Sequence, residues 1–419
     1  MAESQATDCC FQAAEKMMPL AEALKRLAEV VSVSVATEQV PLKDSLSRVL
    51  AEDLVSPMNV PPHDNSAVDG YAVFHADLDP DNPTILPVNG RIAAGHPFER
   101  AAERGEALRI FTGAPMPEAA DTVIMQEDTI EEDGKVTIKP GVKKGANRRK
   151  AGEDVSQGAA IIEKGSQLRP QEIGLAASVG YRTLPVYKKL RVAVFSTGDE
   201  VRDPGATLPA GGIYDSNRYI LMTQLKGLGC DVTDLGILPD QLPAIRGALD
   251  DAAANHDVLI TSGGVSLGEE DHVKAAVEAL GELHFWKLAI KPGRPIALGQ
   301  VKGKTFIGLP GNPVAALVTF LRIGRPVLMR LSGRAIIDAP TYKVRAGFSC
   351  NKKAGRREWL RARLGQDAEG PLALKFHSEG SGILSSMVFS DGLIELTEET
   401  TEVKEGDLID FLPFNEVAR

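Results

Sequence analysis

Between Leu190 and Leu331 the chain alternates short apolar runs with stretches of helical periodicity, the pattern of a largely parallel sheet wrapped by helices. RVAVFS at 191–196 and DVLIT at 257–261 read as buried strands, with another at Asp231–Gly236. Helices are expected at 217–228, at 243–255, where Ile245, Leu249 and Ala252 share one face, and at 271–280. A strand around Phe285, a hairpin over 295–308 and a long helix from Asn312 complete one doubly wound α/β unit.

A chain of 419 residues exceeds one ordinary core, so roughly two to four domains are expected. Residues 56–150 read as a β-rich insert. It contains TVIMQ and KVTIK, joined through the turn signal Glu132-Asp133-Gly134. Helical spacing over Met18–Val30 and Gln171–Val179 suggests that these two helices belong together. The domain expectation is a discontinuous helical linking and dimerisation unit (1–55 with 151–188), the insert (56–150), the α/β unit (189–333) and a C-terminal β-domain (334–419). The last is a small closed or sandwiched β-structure built from YKVRAGF, WLRARL, LALKF, LIELT and LIDFLPF.

The balance of charge is −10, which argues against general nucleic-acid binding and confines any anion site to a local cluster. Cys9, Cys10, Cys230 and Cys350 show no metal-ligand or disulfide spacing. The seven histidines lack paired spacing, so carboxylates are the better metal ligands, which points to Mg2+. With neither an export signal nor an apolar run of about 18 residues, a cytoplasmic location off the membrane is expected.

In open α/β sheets ligands bind beyond the carboxyl ends of the strands, and the candidate chemistry gathers there. Ser262, Gly263 and Gly264 form a glycine loop after DVLIT that could approach phosphate closely; a plain turn is the bland alternative. Pro310, Gly311, Asn312 and Pro313 precede the long helix, Asn312 suiting the cap and Pro313 the first helical position, although ordinary capping accounts for both. Glu200, Asp240 and Asp271 stand at strand exits or helix starts, where each taken singly could merely complement a helix dipole. Beside them Lys287, Lys291 and Arg294 supply cations. Carboxylates for a hard cation next to cations for an oxyanion suit phosphoryl or oxyanion transfer.

Several segments, in order along the chain, carry a resemblance: DNSAVDGYA (64–72), TGAP (112–115), ADTV (120–123), STGDE (196–200), YDSN (214–217), TSGGVS (261–266), KPG (291–293) and GLPGNP (308–313). Together they resemble the MoeA and gephyrin E-domain family, the molybdopterin molybdenumtransferases, from about Met18 to Pro413. The resemblance implies four domains and a head-to-tail homodimer whose cleft combines the α/β unit with β-rich parts of the partner. It implies molybdenum insertion into adenylylated molybdopterin from molybdate, with Mg2+ and release of AMP. It also implies dealings with other cofactor-biosynthesis proteins and molybdoenzyme acceptors. Asp69, Thr112, Asp154, Glu200, Asp240, Asp271, Lys287 and Lys291 match the family's cleft positions, and Glu200, Asp240 and Asp271 its metal set. Arg294, Arg361 and Ser381 match molybdate-holding positions; Arg363 competes with Arg361, and Ser378 and Ser385 with Ser381. The chain departs from family members that carry Lys at Arg294 or Ser at Ala315. A turn role before Gly70 is the alternative for Asp69, and an exposed strand position for Arg361. Rival functions are a pterin adenylyltransferase, against which the flanking domains count, and a gephyrin-like scaffold, against which the lack of an attached second enzyme counts.

Overall fold

The computed structural model describes residues 17–264, 272–336 and 339–417. At its centre a six-stranded sheet runs in the order 231–238, 191–197, 258–262, 304–309, 295–301, 281–287. The first four strands are parallel and the last two join by antiparallel pairing, the hairpin expected from 295–308 included. Alternate residues of one strand serve two apolar layers. Val192 and Val194 pack with Leu221 and Leu225 of helix Asn217–Gly227, whereas Ala193 and Phe195 pack with Ile245 and Leu249 of helix Leu242–Asn255 and Val273 of helix His272–Leu280. Each such fully buried large side chain contributes about 1.5 to 3 kcal/mol, so cover on both faces explains the continuous apolar run. From Arg191–Thr197 the chain moves outward to Asp231–Leu238, then returns to the other side at Val258–Ser262. This reversal separates the loops that follow 197 and 262 and opens a crevice between them.

The helical run after Asn312 is not uniform. Pro313–Thr319 passes into a π-turn at Phe320–Gly324 and resumes as Arg325–Leu331. Pro326 lacks an N–H for the carbonyl four residues earlier, and the wider turn absorbs that lost bond.

Helix Leu20–Val30 corrects one expectation. Its buried Leu20, Ala23 and Leu27 join the core of the α/β unit beside Leu190 and Leu331, whereas Ala176 of helix Pro170–Ser178 packs with Val40, Leu50 and Ile162. The two helices do not share a core. The segments around them meet instead through strand pairs, Thr37–Pro41 with Thr183–Tyr187 and Leu54–Val55 with Ala160–Ile162, so this linking region is held by strands more than by helices.

The insert is a six-stranded sheet in the order 122–125, 70–73, 107–110, 84–92, 135–138, 129–132. Asp133 and Gly134, both at positive φ, join Thr129–Glu132 to Lys135–Ile138; TVIM pairs elsewhere, with Gly70–Val73. The C-terminal strands 342–346, 357–367, 370–375, 392–396 and 408–413 close into a barrel, since the second also pairs with the fourth. Among the described residues no helix is long and apolar enough to cross a membrane, and Cys230 and Cys350 are free thiols.

Candidate functional site

The crevice at the sheet reversal is a cleft of about 260 Å³. One wall carries Thr197, Gly198, Glu200 and Asp240, the other Ser262, Gly263, Gly264 and Gly311. Gly263 and Gly311 face each other across the cleft in van der Waals contact, a Cβ on Gly311 lying 3.6 Å from the Gly263 Cα. Gly264, at φ +64, could not carry a side chain without driving it to 2.6 Å from the Thr197 methyl. At Gly264 glycine is therefore required by a close approach, beyond what a plain turn demands, whereas Gly263 is held to glycine by its φ of +86 and Gly311 has room for a Cβ.

Asn217, the first residue of its helix, ties these loops together. Its Nδ2 donates to Ser262 Oγ at 2.8 Å and to the Gly311 carbonyl at 2.6 Å, and Ser262 Oγ donates onward to the Pro310 carbonyl at 2.9 Å. The Ser262 hydroxyl is thus committed to the scaffold. Asn217 Oδ1, Ser196 Oγ and Thr261 Oγ1 are buried without a partner among the described residues; Asn217 and Ser196 line the cleft. The Asn217 amide oxygen calls for a donor, and each unpartnered hydroxyl for a donor or an acceptor. The neighbouring loop is fixed by buried Arg218, whose Nε donates to Asp215 Oδ2 at 2.9 Å while its other nitrogens reach Asp234 and Asp203. Burial works against that charge, but Asp234 and Asp215 outweigh it and raise the guanidinium pKa further. Sequence reasoning named none of Ser196, Thr197 or Asn217 as site residues. The available signal was the polar run YDSN at a helix entry.

Of the proposed carboxylates, Glu200 and Asp240 line the cleft, Asp240 Oδ1 accepting from the Thr197 hydroxyl at 3.3 Å. Asp271 lies outside the described residues. No cluster of three or more metal-binding side chains forms among the described residues. A hard dication held by two carboxylates, with the remaining positions left to water and ligand phosphates, is still compatible with this pair.

The proposed cations occupy the same carboxyl edge farther along the sheet, outside the cleft lining. Lys287 ends strand Gly281–Lys287, and Arg294 immediately precedes Pro295–Val301; both are exposed. Lys291 pairs through its backbone with the barrel strand at Glu358, and its Nζ bonds to Glu358 Oε2 at 3.2 Å and Glu379 Oε2 at 2.7 Å. Lys291 and then Lys375, both hydrogen bonded to Glu379, hold its carboxyl near a pKa of about 2. The sharp bend at Gly293 lets this segment press onto the helix, where any Cβ would meet Thr319 Oγ1 at 2.1 Å.

Arg361 is 2% exposed, not a solvent-facing strand residue. Its Nε donates to Ser386 Oγ at 3.0 Å and its Nη2 to the Ser378 and Gly380 carbonyls, so it holds the loop that carries Glu379 and Ser381. Arg363 points outward over the Phe389 ring. Ser381 contributes its carbonyl, which accepts from Val314 N at 3.0 Å. Asn312 occupies the cap position as expected, yet its side chain makes no capping bond. The barrel loop thus satisfies part of the helix start, and the first turn of that helix separates the cleft from the cationic cluster.

In the insert the structure brings Asp69 and Thr112 together. Asp69 Oδ1 accepts the Thr112 amide at 2.8 Å and its hydroxyl at 2.7 Å, bonds that depress the Asp69 pKa on an exposed surface. Asp69 also stands in a bend, Ala67–Asp69, directly before Gly70, which opens a strand where a Cβ would sit 1.8 Å from the Ile124 carbonyl oxygen. Asp154 lies in a separate surface depression with Val60 and Arg149. None of Asp69, Thr112 and Asp154 lines the α/β cleft of the same chain.

The fold and cleft define a multidomain α/β protein with a ligand crevice at the reversal of a doubly wound sheet. Family models match residues 18–180 (MoeA N-terminal region, domain I and II), 193–330 (probable molybdopterin binding domain) and 343–414 (MoeA C-terminal region, domain IV). A molybdopterin molybdenumtransferase of Haemophilus influenzae is 40% identical over 95% of this chain and 99% of its own length, and one of Synechococcus elongatus 39% identical over 81% and 85%. A solved molybdopterin biosynthesis MoeA protein of Pyrococcus horikoshii superposes with a TM-score of 0.83 at 29% identity, covering 95% of this chain and all of that one. The chain belongs to the MoeA family of molybdopterin molybdenumtransferases.

Proposed function

We propose that this chain is a molybdopterin molybdenumtransferase that inserts molybdenum from molybdate into adenylylated molybdopterin and releases AMP. The observation that carries this reading is the placement of a glycine-walled polar cleft and a Lys291-centred cationic cluster on two sides of one helix start. The reaction asks for no protein nucleophile, because the dithiolene sulfurs bond to molybdenum while the oxyanion's own oxygens leave or pass to phosphorus. Positioning and electrostatics remain for the protein. The bare backbone at Gly263, Gly264 and Gly311 admits the nucleotide and pterin, and Asn217 Oδ1 accepts one of their N–H groups. Glu200 and Asp240, with Asp271 as the further candidate, would hold Mg2+, which when bound supplies neutralisation of the pyrophosphate charge. Lys287, Lys291 and Arg294 attract the oxyanion, and Arg361 positions the Ser378–Ser381 loop beside them.

In this reading the working unit is a homodimer in the cytoplasm, with the exposed Asp69–Thr112 corner of one subunit completing the cleft of the other. Further contacts with cofactor-biosynthesis proteins and molybdoenzyme acceptors belong to the same proposal. The test is incubation of the purified chain with adenylylated molybdopterin, molybdate and Mg2+. AMP appearing only when molybdate is present supports the proposal. Adenylylation of molybdopterin from ATP, with no molybdate-dependent AMP, overturns it in favour of an adenylyltransferase.

A further inference from the structure

Outside that site the helical run after Pro313 carries Arg322 in its π-turn, Arg325 at the start of the next helix and Arg334 just past its end. Arg325 is 7% exposed. Arg322 Nε, Arg325 Nε and Arg334 Nη1 are all shut off from solvent with no hydrogen-bond acceptor among the described residues. The contacts these arginines do make are weak. Arg325 Nη2 reaches the Glu416 carbonyl at 3.4 Å, and Arg322 Nη2 lies 3.4 Å from Glu395 Oε2 with its guanidinium over Trp359. Glu395 is already shared with Arg357 Nη1 at 2.7 Å and Trp359 Nε1 at 2.9 Å.

A buried cation without a counter-charge is strongly disfavoured. Burial, then the charges of Arg334 and Arg322, pull the Arg325 pKa down to about 10, which still leaves it charged at neutral pH. Loss of the proton therefore does not relieve the cluster, and an anion does. Arg334 and Arg322 sit near enough to Arg325 to oppose its charge, and the unpartnered N–H groups of the three suit the several acceptor oxygens of an oxyanion.

We propose that Arg322, Arg325 and Arg334 form a second anion site, taking a small oxyanion of the sulfate or phosphate class. None of the three lines the cleft, and none contacts Lys291 or Glu379. The bound ion links the helical run to the chain end at Glu416 and to the segment that enters the barrel. Half-buried Arg334 gives the ion its way in.

The test is calorimetric titration of the purified full chain with sulfate and with phosphate, at ionic strength matched with chloride. Arg325→Met, Arg334→Gln and, as a control for the separate cationic cluster, Lys291→Ala are titrated alongside. The expected result is one ion that Lys291→Ala still binds with wild-type affinity and that either arginine variant binds about tenfold or more weakly; any further ion taken up by the Lys291 cluster in the wild type is the one missing from Lys291→Ala. Absence of binding in the wild type, binding unchanged in both arginine variants, or binding lost in Lys291→Ala would overturn the site. Should the arginine variants fail to fold, hydrogen exchange on the wild type decides. Slower exchange over 320–334 in sulfate than in chloride supports the site, and equal exchange removes it.

Discussion

Lys291 Nζ lies 2.7 Å from Glu379 Oε2, joining the α/β unit to the barrel across 88 residues of sequence. Because Glu379 also binds Lys375, its carboxylate neutralises the cations that the proposed oxyanion would need.

The first expectation concerns acid stability. Lys291 and Lys375 depress the Glu379 pKa to about 2 from an ordinary 4.5, so its contribution is full above pH 4.5 and is lost as the pH falls toward 2. Glu379→Gln should flatten that part of the acid flank in thermal unfolding followed by circular dichroism. It should also lower the apparent KM for molybdate by leaving Lys291 with Glu358 as its one carboxylate partner among the described residues. An unchanged acid flank would place the pairing outside the folded state in solution.

A second expectation rests on Asn217. Replacement by Ala leaves Ser262 Oγ and the Gly311 carbonyl without their donor, a loss of about 1 to 3 kcal/mol in urea unfolding. The two glycine walls would then be free to drift apart, raising the Kd for adenylylated molybdopterin. Unaltered binding would mean that the walls hold without this tie.

Gly264 and Gly303 provide a matched pair. Both have positive φ, but a Cβ on Gly303 meets nothing within 4 Å, whereas one on Gly264 strikes Thr197 and Val273. Gly303→Ala should cost about 1 to 2 kcal/mol from backbone strain alone. Gly264→Ala should cost more and should also reduce turnover, as compared by denaturant midpoints and AMP release. Equal effects would remove the close approach at Gly264 as a factor.

The shared cleft can be tested by mixing subunits. Light scattering should give about twice the 44.8 kDa chain mass. Asp69→Asn and Asp240→Asn, each nearly inactive alone, should regain about a quarter of wild-type activity after random reassociation, since half of the dimers then carry one intact cleft. No recovery would argue that both residues serve one cleft within a single chain.

The strands RVAVFS and DVLIT, the hairpin after Pro295 and the five strands of the barrel were legible in the sequence, because hydrophobic periodicity and turn chemistry are local and survive without knowledge of neighbours. The motif order from Asp64 to Pro313 was enough to point to the family. Partner choice was decided elsewhere. The amphipathic face of helix Leu20–Val30 fits any apolar surface, and only the folded chain sends it to the α/β core, away from helix Pro170–Ser178. Arg361 and Arg363 are two places apart on one strand and equal in charge. Burial under the Ser378–Gly380 carbonyls makes the first a loop anchor, whereas the second faces outward. Asn217 became a site residue because the sheet reversal sets its amide against loops 45 and 94 residues away, a coincidence in space that local spacing does not encode.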